Sequence, residues 1–215
     1  MSGYPQPLKQ WLFNHLAIRD WQKGIGTCTM QNYPTNEQLA EMGRILTQAR
    51  IENWFENTFG SWRWWVLVVL LIFPWFIWAK IVDKKKLHEL ALFGLLIMVS
   101  SITLDEVGFV LSLWNYPINV IPIFPRLTSA DYTAIPIIYM LIYQYFAIWK
   151  SFLWALIVIS VFFSFVIEPS IMKLGFYVLI NWSFLYSFIL YLVVGLSARW
   201  LTKLLVNTTH KYNTE

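Results

Sequence analysis

Residues 62–82 read WRWWVLVVLLIFPWFIWAKIV, and their only charged side chains are Arg63 near the start and Lys80 near the end. At about 1.5 Å rise per residue, a helix of this length matches a bilayer core of about 30 Å. Tryptophans cluster at both ends of the stretch, where an apolar ring body and a polar N–H both suit the membrane interface. The stretch therefore predicts a membrane-spanning helix.

The composition of the whole chain agrees with a membrane protein. Hydrophobic residues make up 58% of the 215 residues and charged residues only 13%, whereas a soluble domain carries about a quarter charged residues. A soluble fold with so few charges would expose a self-associating surface, so we expect the lipid bilayer to cover it. The net charge of +4 is typical of the Lys and Arg bias of cytoplasmic loops. It argues against a nucleic-acid partner, which requires basic residues clustered on a soluble face.

Four further apolar stretches follow the first, and together they predict an all-α polytopic membrane bundle of about five transmembrane helices. The predicted spans are about 62–82, 87–104 (or 87–114 if the helix continues past Asp105-Glu106), 132–149, 152–167 and 176–200, within a bundle over 61–204. Pro169 is expected to end the fourth span, since proline disrupts a helix interior. Residues 205–215 form a polar tail.

Residues 1–60 are more polar and contain two amphipathic helix candidates, Leu8–Trp21 and about Asn36–Phe59. Their aromatic residues suit helices that lie on the membrane surface, and a helical hairpin docked on the end of the bundle is the equal alternative. Met1–Gln10 has no apolar core, so no cleavable signal peptide is expected. This segment is predicted to be helical and extracytoplasmic or interfacial.

The segment Asn115–Ala130 is apolar but contains Pro117, Pro122 and Pro125. Three prolines so close together exclude a regular helix. An irregular backbone cannot face lipid, because its N–H and C=O groups would lack partners. The segment is therefore predicted to lie at the interface or to fold back over the end of the bundle.

Lysine and arginine set the expected orientation. If the loop with Lys84, Lys85 and Lys86 is cytoplasmic, five crossings place Lys150 and the C-terminus on the same side. The short loops of the other side hold few basic residues, chiefly Arg126 and Lys173. The positive-inside rule then predicts an extracytoplasmic N-terminus and a cytoplasmic C-terminus.

Small residues lie along one face of the second span. Gly94, Ser101, Asp105 and Gly108 follow steps of three, four and seven residues, and small residues let a neighbouring backbone approach closely. The Gly94/Ser101/Gly108 face is therefore a candidate contact for another helix of the bundle, for a membrane-protein partner, or for a second copy of the chain. The same stripe brings Asp105 into that contact.

Carboxylates near one membrane level form the candidate site. Ionisable groups within spans are costly and suggest function. The candidate ligand-binding residues are Asp105, Glu106, Asp131, Glu168, Tyr132 and Asn181. The functional interpretation is an outward-facing acidic pocket. The alternative is structural, with helix caps and boundary residues paired to Arg126 and Lys173.

No catalytic motif is found, and no cofactor is indicated. The three histidines lie far apart in the sequence and predict no metal site. The leading hypothesis is binding or transport of a small cation or polar solute at the carboxylates. One alternative is a structural or assembly subunit of a bacterial membrane complex. Another is a lipid-modifying membrane enzyme that uses paired carboxylates for acid–base chemistry.

Several motifs occur in a fixed order along the chain: Phe73-Pro74-Trp75, Val82-Asp83-Lys84-Lys85, Leu113-Trp114-Asn115-Tyr116-Pro117, Tyr139 to Tyr145 with Trp149-Lys150, Phe165 to Pro169, Asn181-Trp182 and Tyr186-Ser187-Phe188. Together they resemble an uncharacterised family of small multi-pass membrane proteins from spore-forming Firmicutes. The resemblance covers Trp62 to Trp200. It implies a multi-pass fold in a bacterial plasma membrane or spore membrane, and it implies no activity and no functional residues.

Overall fold

The structure, a computed structural model, describes residues 34–124 and 126–213. Over those residues the chain forms six continuous helical rods and one two-stranded sheet. The chain divides into two units, Met1–Leu46 and Thr47–Glu215. The helix predicted at Leu8–Trp21 lies outside the described residues.

The rods contain α-helices joined in two places by π-helical turns. The α-helices are α1 (Asn36–Asn57), α2 (Trp62–Ile81), α3 (Leu87–Val110), α4 (Ile135–Tyr145), α5 (Trp149–Phe162), α6 (Glu168–Lys173) and α7 (Phe184–Asn213). The π-helical turns are π1 (Ala130–Ala134), which continues into α4, and π2 (Phe163–Ile167), which joins α5 to α6. A 3₁₀ turn (Lys84–Lys86) precedes α3, and strands β1 (Trp114–Asn115) and β2 (Val178–Leu179) pair antiparallel.

Four of the rods are long and apolar enough to cross a membrane. They are Trp62–Ile81, Lys84–Val110, Trp149–Lys173 and Phe184–Thr209. The predicted all-α class is confirmed, with four candidate membrane-spanning helices. The fifth predicted span corresponds to π1 and α4, which together are shorter, at five and eleven residues.

Helix α4 is the most buried helix of the bundle. Its buried residues are Pro136, Ile137, Tyr139, Met140, Ile142 and Tyr143. They pack in one core with Phe93 of α3 and with Phe152 and Leu156 of α5. Helix α2, in contrast, buries only Leu67 and exposes most of its apolar side chains. Residues of α2, α3, α5 and α7 therefore pack around α4. The exposed side chains of α2 suit contact with lipid.

Several element ends differ from the expected bounds. Helix α3 runs past Asp105 to Val110, where Ser112 adopts a positive φ of 55° and the chain turns into β1. Helix α7 begins at Phe184 and not at 176, because β2 occupies the preceding segment in order to pair with β1. Pro169, expected to end the fourth span, lies inside the continuous rod, two positions after the last residue of π2.

The proline-rich segment packs over one end of the bundle, called the sheet end here because it carries β1 and β2. Trp54 and Trp64 each donate an indole N–H to its backbone, to the carbonyls of Asn119 at 2.9 Å and of Val120 at 3.1 Å. A small core of Leu67, Ile118, Leu127 and Phe176 lies beneath it. Two positions were expected for this segment, and in the structure it folds back over the end of the bundle.

The small-residue stripe of α3 packs within the chain. A Cβ atom added to Gly94 would overlap the Met140 side chain of α4, and one added to Gly108 would overlap the Trp114 ring. Ser101 donates a 2.7 Å hydrogen bond to Asp131. The close helix contact expected from the stripe is thus made by the protein's own helices and β1.

Arg199 closes the opposite end of the bundle, called the Arg199 end. Its guanidinium group donates hydrogen bonds to the carbonyls of Phe146 (2.9 Å) and Ala147, which follow the last turn of α4. The same group lies 4.1 Å from the centre of the Phe152 ring. A cation at a helix C-terminus satisfies orphan carbonyls and opposes the helix dipole. Arg199 thereby fixes the tight turn between α4 and α5.

Candidate functional site

Asp105 lies in the last two turns of α3 and is only 7% exposed. Its Oδ1 atom accepts hydrogen bonds from the Trp114 indole at 2.8 Å and from the Tyr116 hydroxyl at 2.6 Å. Both donors come from the segment that leaves α3 and enters the proline-rich loop. The sequence string Leu113–Pro117 therefore supplies the partners of this carboxyl group.

Asp131 lies in π1, at the start of the central rod, and is 4% exposed. Its Oδ1 atom accepts the hydrogen bond from Ser101, one helical turn before Asp105 on α3. Because Ser101 and Asp105 share one face of α3, the carboxyl groups of Asp131 and Asp105 are neighbours in the cavity lining, and each influences the other electrostatically. The Oδ2 atoms of both groups are buried, and neither has a donor among the described residues.

Glu168 follows π2 and is 6% exposed. The Ser187 hydroxyl donates to one of its oxygens at 3.0 Å and the Tyr191 hydroxyl to the other at 2.9 Å. Ser187 in turn accepts the Trp182 indole N–H at 3.0 Å. All three partners come from α7 and from the turn before it, so Glu168 connects the fourth and fifth predicted spans.

The three carboxyl groups line a single cavity of about 370 Å³ at the sheet end of the bundle. The rest of the wall is mostly aliphatic, with aromatic rings around the carboxyls. Tyr116 stacks on Tyr177 with ring centres 5.4 Å apart, and Trp114 meets Trp182 edge-on at 5.1 Å. None of the described residues that line the cavity is Lys, Arg or His.

The hydroxyls of Tyr116 and Tyr177 are neutral, and that of Tyr116 donates a hydrogen bond to Asp105. Burial, followed by the charge of Asp105, raises the pKa of Tyr116 well above its ordinary value. Burial, followed by the charges of Glu168 and Asp105, raises the pKa of Tyr177 as well. The Tyr177 side chain lines the same cavity as both carboxyl groups.

Both π turns are at the level of this cavity, and each has a proline two positions beyond its last residue. In π1 the Ile135 N–H bonds to the Ala130 carbonyl and Pro136 follows; in π2 the Glu168 N–H bonds to the Phe163 carbonyl and Pro169 follows. A proline inside a helix has no N–H and clashes with the carbonyl four residues earlier. Widening that turn to i−5 bonding relieves the clash, and such π turns are frequent at functional sites.

Three of the six residues predicted from the sequence do not line the cavity. Glu106 is half exposed and pairs with Arg126 at 3.4 Å. Asn181 is exposed, and Tyr132 is half buried outside the lining. Glu106 therefore has a counter-ion outside the cavity. Asp105, Asp131 and Glu168 are brought together in the lining of one cavity.

The hydroxyl and indole donors were not among the predicted site residues. Ser101 had been noted only for its size, and Trp114 and Tyr116 only as part of a motif. Tyr191 lies on the same face of α7 as Ser187, at i+4. This spacing is the sequence feature that could have indicated a pair of hydroxyl donors. Without the position of π2, nothing in the sequence relates that face to Glu168.

Among residues 34–124 and 126–213, no group of three or more His, Cys, Asp or Glu is arranged to hold a metal ion. The carboxyls are instead spread around an apolar space. Comparisons of the chain with protein-family models, with curated proteins and with solved structures each find no match.

Proposed function

We propose that the protein binds a small organic cation in the cavity between Asp105, Asp131 and Glu168. The observation that carries this proposal is the joint burial of three carboxyl groups around one cavity with no basic residue in the described lining. An isolated buried carboxylate is very unfavourable unless a cation or a proton compensates it. A cationic ligand provides that compensation.

The walls of the cavity favour an organic cation over a metal ion. Hard metal ions take several oxygen ligands at short distance, whereas these walls are mainly aliphatic and aromatic. A volume of about 370 Å³ lies within the ~300–1,000 Å³ typical of small-molecule sites. The rings of Tyr116, Tyr177, Trp114 and Trp182 offer π faces to an ammonium group. The carboxyls would hold the charge, and the walls would hold the apolar part.

We propose in addition that the chain crosses the membrane five times and that the bound cation is transported. In this proposal π1 and α4 cross the membrane as the buried central span. Their five and eleven residues form a helical rod about 24 Å long, at a rise of about 1.5 Å per residue. The N-terminus is then extracytoplasmic and the C-terminus cytoplasmic, so the cavity opens toward the outside. The membrane is the bacterial plasma membrane or spore membrane that the family resemblance implies.

The assembly-subunit alternative has less support. That alternative takes the N-terminal helices as the docking element, and a flat small-residue face would favour it. The Gly94/Ser101/Gly108 face is instead filled by Met140, Asp131 and Trp114 of the same chain. A cavity lined by carboxyl groups is the feature expected of a binding protein. We therefore retain cation binding as the proposed function. A lipid-modifying activity would have to use the same cavity.

The test uses the full chain in detergent and a pair of matched probes. Benzyltrimethylammonium carries one positive charge, and neopentylbenzene has the same shape without it. We expect the cation to bind, observed by calorimetry and by a change in tryptophan fluorescence, and the neutral probe to bind at least tenfold more weakly. Glu168→Gln should weaken cation binding by a similar factor because it removes the charge and keeps the size.

Glu106→Gln is the matched control, because Glu106 is adjacent to Asp105 in sequence but lies outside the cavity. It should leave the affinity for benzyltrimethylammonium unchanged. Equal binding of both probes, or equal effects of Glu106→Gln and Glu168→Gln, would contradict the proposal. Uptake of the radiolabelled cation into liposomes that contain the protein then separates transport from binding alone.

A further inference from the structure

If Asp105 and Asp131 were both ionised, neither carboxylate would have a proton to donate to the other. Each Oδ1 atom has hydroxyl or indole donors, whereas each Oδ2 atom is buried without a donor among the described residues. Two carboxylates this close repel each other, and they can form a hydrogen bond only if one of them carries a proton. The geometry therefore calls for one proton between the two groups.

We propose that Asp105 and Asp131 share one proton and that a cation entering the cavity displaces it, so that the protein exchanges an organic cation for a proton. This inference rests on the proposed function and adds the coupled ion. In the exchange, the O–H bond of the pair breaks and the proton leaves to water. The ligand's positive charge replaces it, and the net charge of the site is unchanged.

The groups around Asp105 and Asp131 do not replace the shared proton. Glu106 on α3 pairs with Arg126, which also interacts electrostatically with Asp131. From the loops, Tyr116 donates to Asp105, and Tyr177, which stacks on the Tyr116 ring, is a neutral hydroxyl. From α2, the carbonyls of Leu67 and Leu71 accept hydrogen bonds from Ser129 and Thr133 on either side of Asp131, with no charged group in these contacts.

Glu168 has a different role in the exchange. Each of its oxygens accepts a hydroxyl hydrogen bond, whereas the Oδ2 atoms of Asp105 and Asp131 have no donor among the described residues. Glu168 lines the same cavity as the two aspartates. Glu168 therefore attracts the ligand to the cavity, and the Asp105–Asp131 pair responds to its charge.

The experiment measures proton release in the same sample as binding. Benzyltrimethylammonium is added to the detergent-solubilised chain in weak buffer with a pH-indicator dye, while calorimetry in two buffers of different ionisation enthalpy counts protons independently. We expect about one proton released per cation bound, and an affinity that falls about tenfold for each unit decrease in pH over the range in which the pair stays protonated. Glu106→Gln should release the same amount as the wild type.

Asp105→Asn separates the exchange from simple binding. The Asn side chain can donate an N–H to Asp131 in place of the proton, so the fold should survive, the proton release should fall to near zero, and the affinity should become independent of pH. Cation binding in the wild type without proton release would overturn the exchange and leave the proposed function standing. Failure of the wild type to bind the cation at all would remove the proposed function, and the exchange with it.

A ligand-free measurement tests the shared proton by itself. Infrared spectra of the chain labelled with ¹³C-aspartate at its carboxyl carbon should contain, at neutral pH, the C=O stretch of a buried protonated aspartic acid. The band should be absent or shifted in Asp105→Asn and in Asp131→Asn and unchanged in Glu106→Gln. Absence of the band from the wild type would show that the pair holds no proton and would overturn the inference.

Discussion

The indole N–H of Trp114 donates a 2.8 Å hydrogen bond to Asp105, and each of the two side chains is only 7% exposed. Trp114 is in β1, which pairs with β2, so the bond ties the end of α3 to the sheet. It also places the indole ring against Gly108, where any larger residue would overlap it. The position of the Asp105 carboxyl therefore depends on a backbone segment outside the membrane helices.

Trp114→Phe should destabilise the protein by about 1–3 kcal/mol. The change removes the indole donor and leaves the buried Asp105 oxygen with Tyr116 as its remaining partner, and the loss of a buried hydrogen bond typically costs this much. Thermal unfolding in detergent, followed by circular dichroism, measures the effect. Trp154→Phe is the control, since Trp154 is 69% exposed on α5. Equal stability of the two variants would contradict the importance of the bond.

Gly94→Leu and Gly108→Leu should each destabilise the bundle, by about 1–3 kcal/mol or more. Overpacking a filled core typically costs this amount, and both positions are blocked, by Met140 and by Trp114. Thermal unfolding again measures the change, with Val99→Leu as a control on the exposed side of α3. Gly108→Leu should also weaken benzyltrimethylammonium binding, because it displaces Trp114 from Asp105. Unchanged melting of both glycine variants would mean that the stripe faces lipid.

The sequence predicted what depends on hydrophobicity and periodicity. The apolar runs predicted a helical membrane bundle, and the stripe on α3 predicted close packing around Asp105. The site depends on features that these patterns do not contain. Two prolines, Pro136 and Pro169, follow π turns that turn Asp131 and Glu168 into the cavity, and a sequence reading of proline indicates only a kink or an end.

Long-range partners were also beyond reach of the sequence. Arg199 lies at the end of the predicted fifth span, where the sequence indicates only a basic residue near the membrane boundary, yet it is 1% exposed and caps the end of α4. Charge patterns give a side of the membrane, but they do not say which carbonyls lie within reach. The short length of α4 likewise follows from the turn that Arg199 stabilises, not from any loss of hydrophobicity after Tyr145.

Arg199→Lys should reduce stability by about 1.5–3 kcal/mol for the charged hydrogen bond that is lost. A lysine ammonium cannot reproduce the planar fork that reaches the Phe146 and Ala147 carbonyls and stacks on Phe152. Thermal unfolding in detergent measures this change. Lys150→Ala, at an exposed position near the same turn, should have little effect. Full stability of Arg199→Lys would show that charge alone, and not geometry, is required.

Reporter fusions test the fifth crossing directly. Fusions after Lys86, after Lys150 and at the C-terminus should all report cytoplasm, and a fusion near Arg126 should report the outside. The fusions after Lys150 and at the C-terminus discriminate most strongly. If α4 does not cross the membrane, both of them would report the outside. Neutralising Lys84, Lys85 and Lys86 together should weaken the orientation, because that loop carries the largest basic cluster.

Pro169→Ala should impair cation binding while preserving the fold. Alanine restores the backbone N–H and removes the ring that clashes with the carbonyl of residue 165, so the widened turn π2 can return to α-helical bonding. When the turn narrows from i−5 to i−4 bonding, the direction of the Glu168 side chain relative to α5 changes by about one residue's rotation, or 100°. Its carboxyl then leaves Ser187 and Tyr191, and the affinity for benzyltrimethylammonium should fall at least tenfold.

The control for this change is Pro74→Ala, because Pro74 lies inside α2 without an adjoining π turn and outside the cavity lining. Its affinity for benzyltrimethylammonium should equal that of the wild type. Helix content and melting temperature distinguish loss of the site from loss of the fold, and Pro169→Ala should retain both, since alanine favours a helix by about 3 kcal/mol over proline in a regular interior. Wild-type affinity in a well-folded Pro169→Ala variant would show that the proline does not position Glu168.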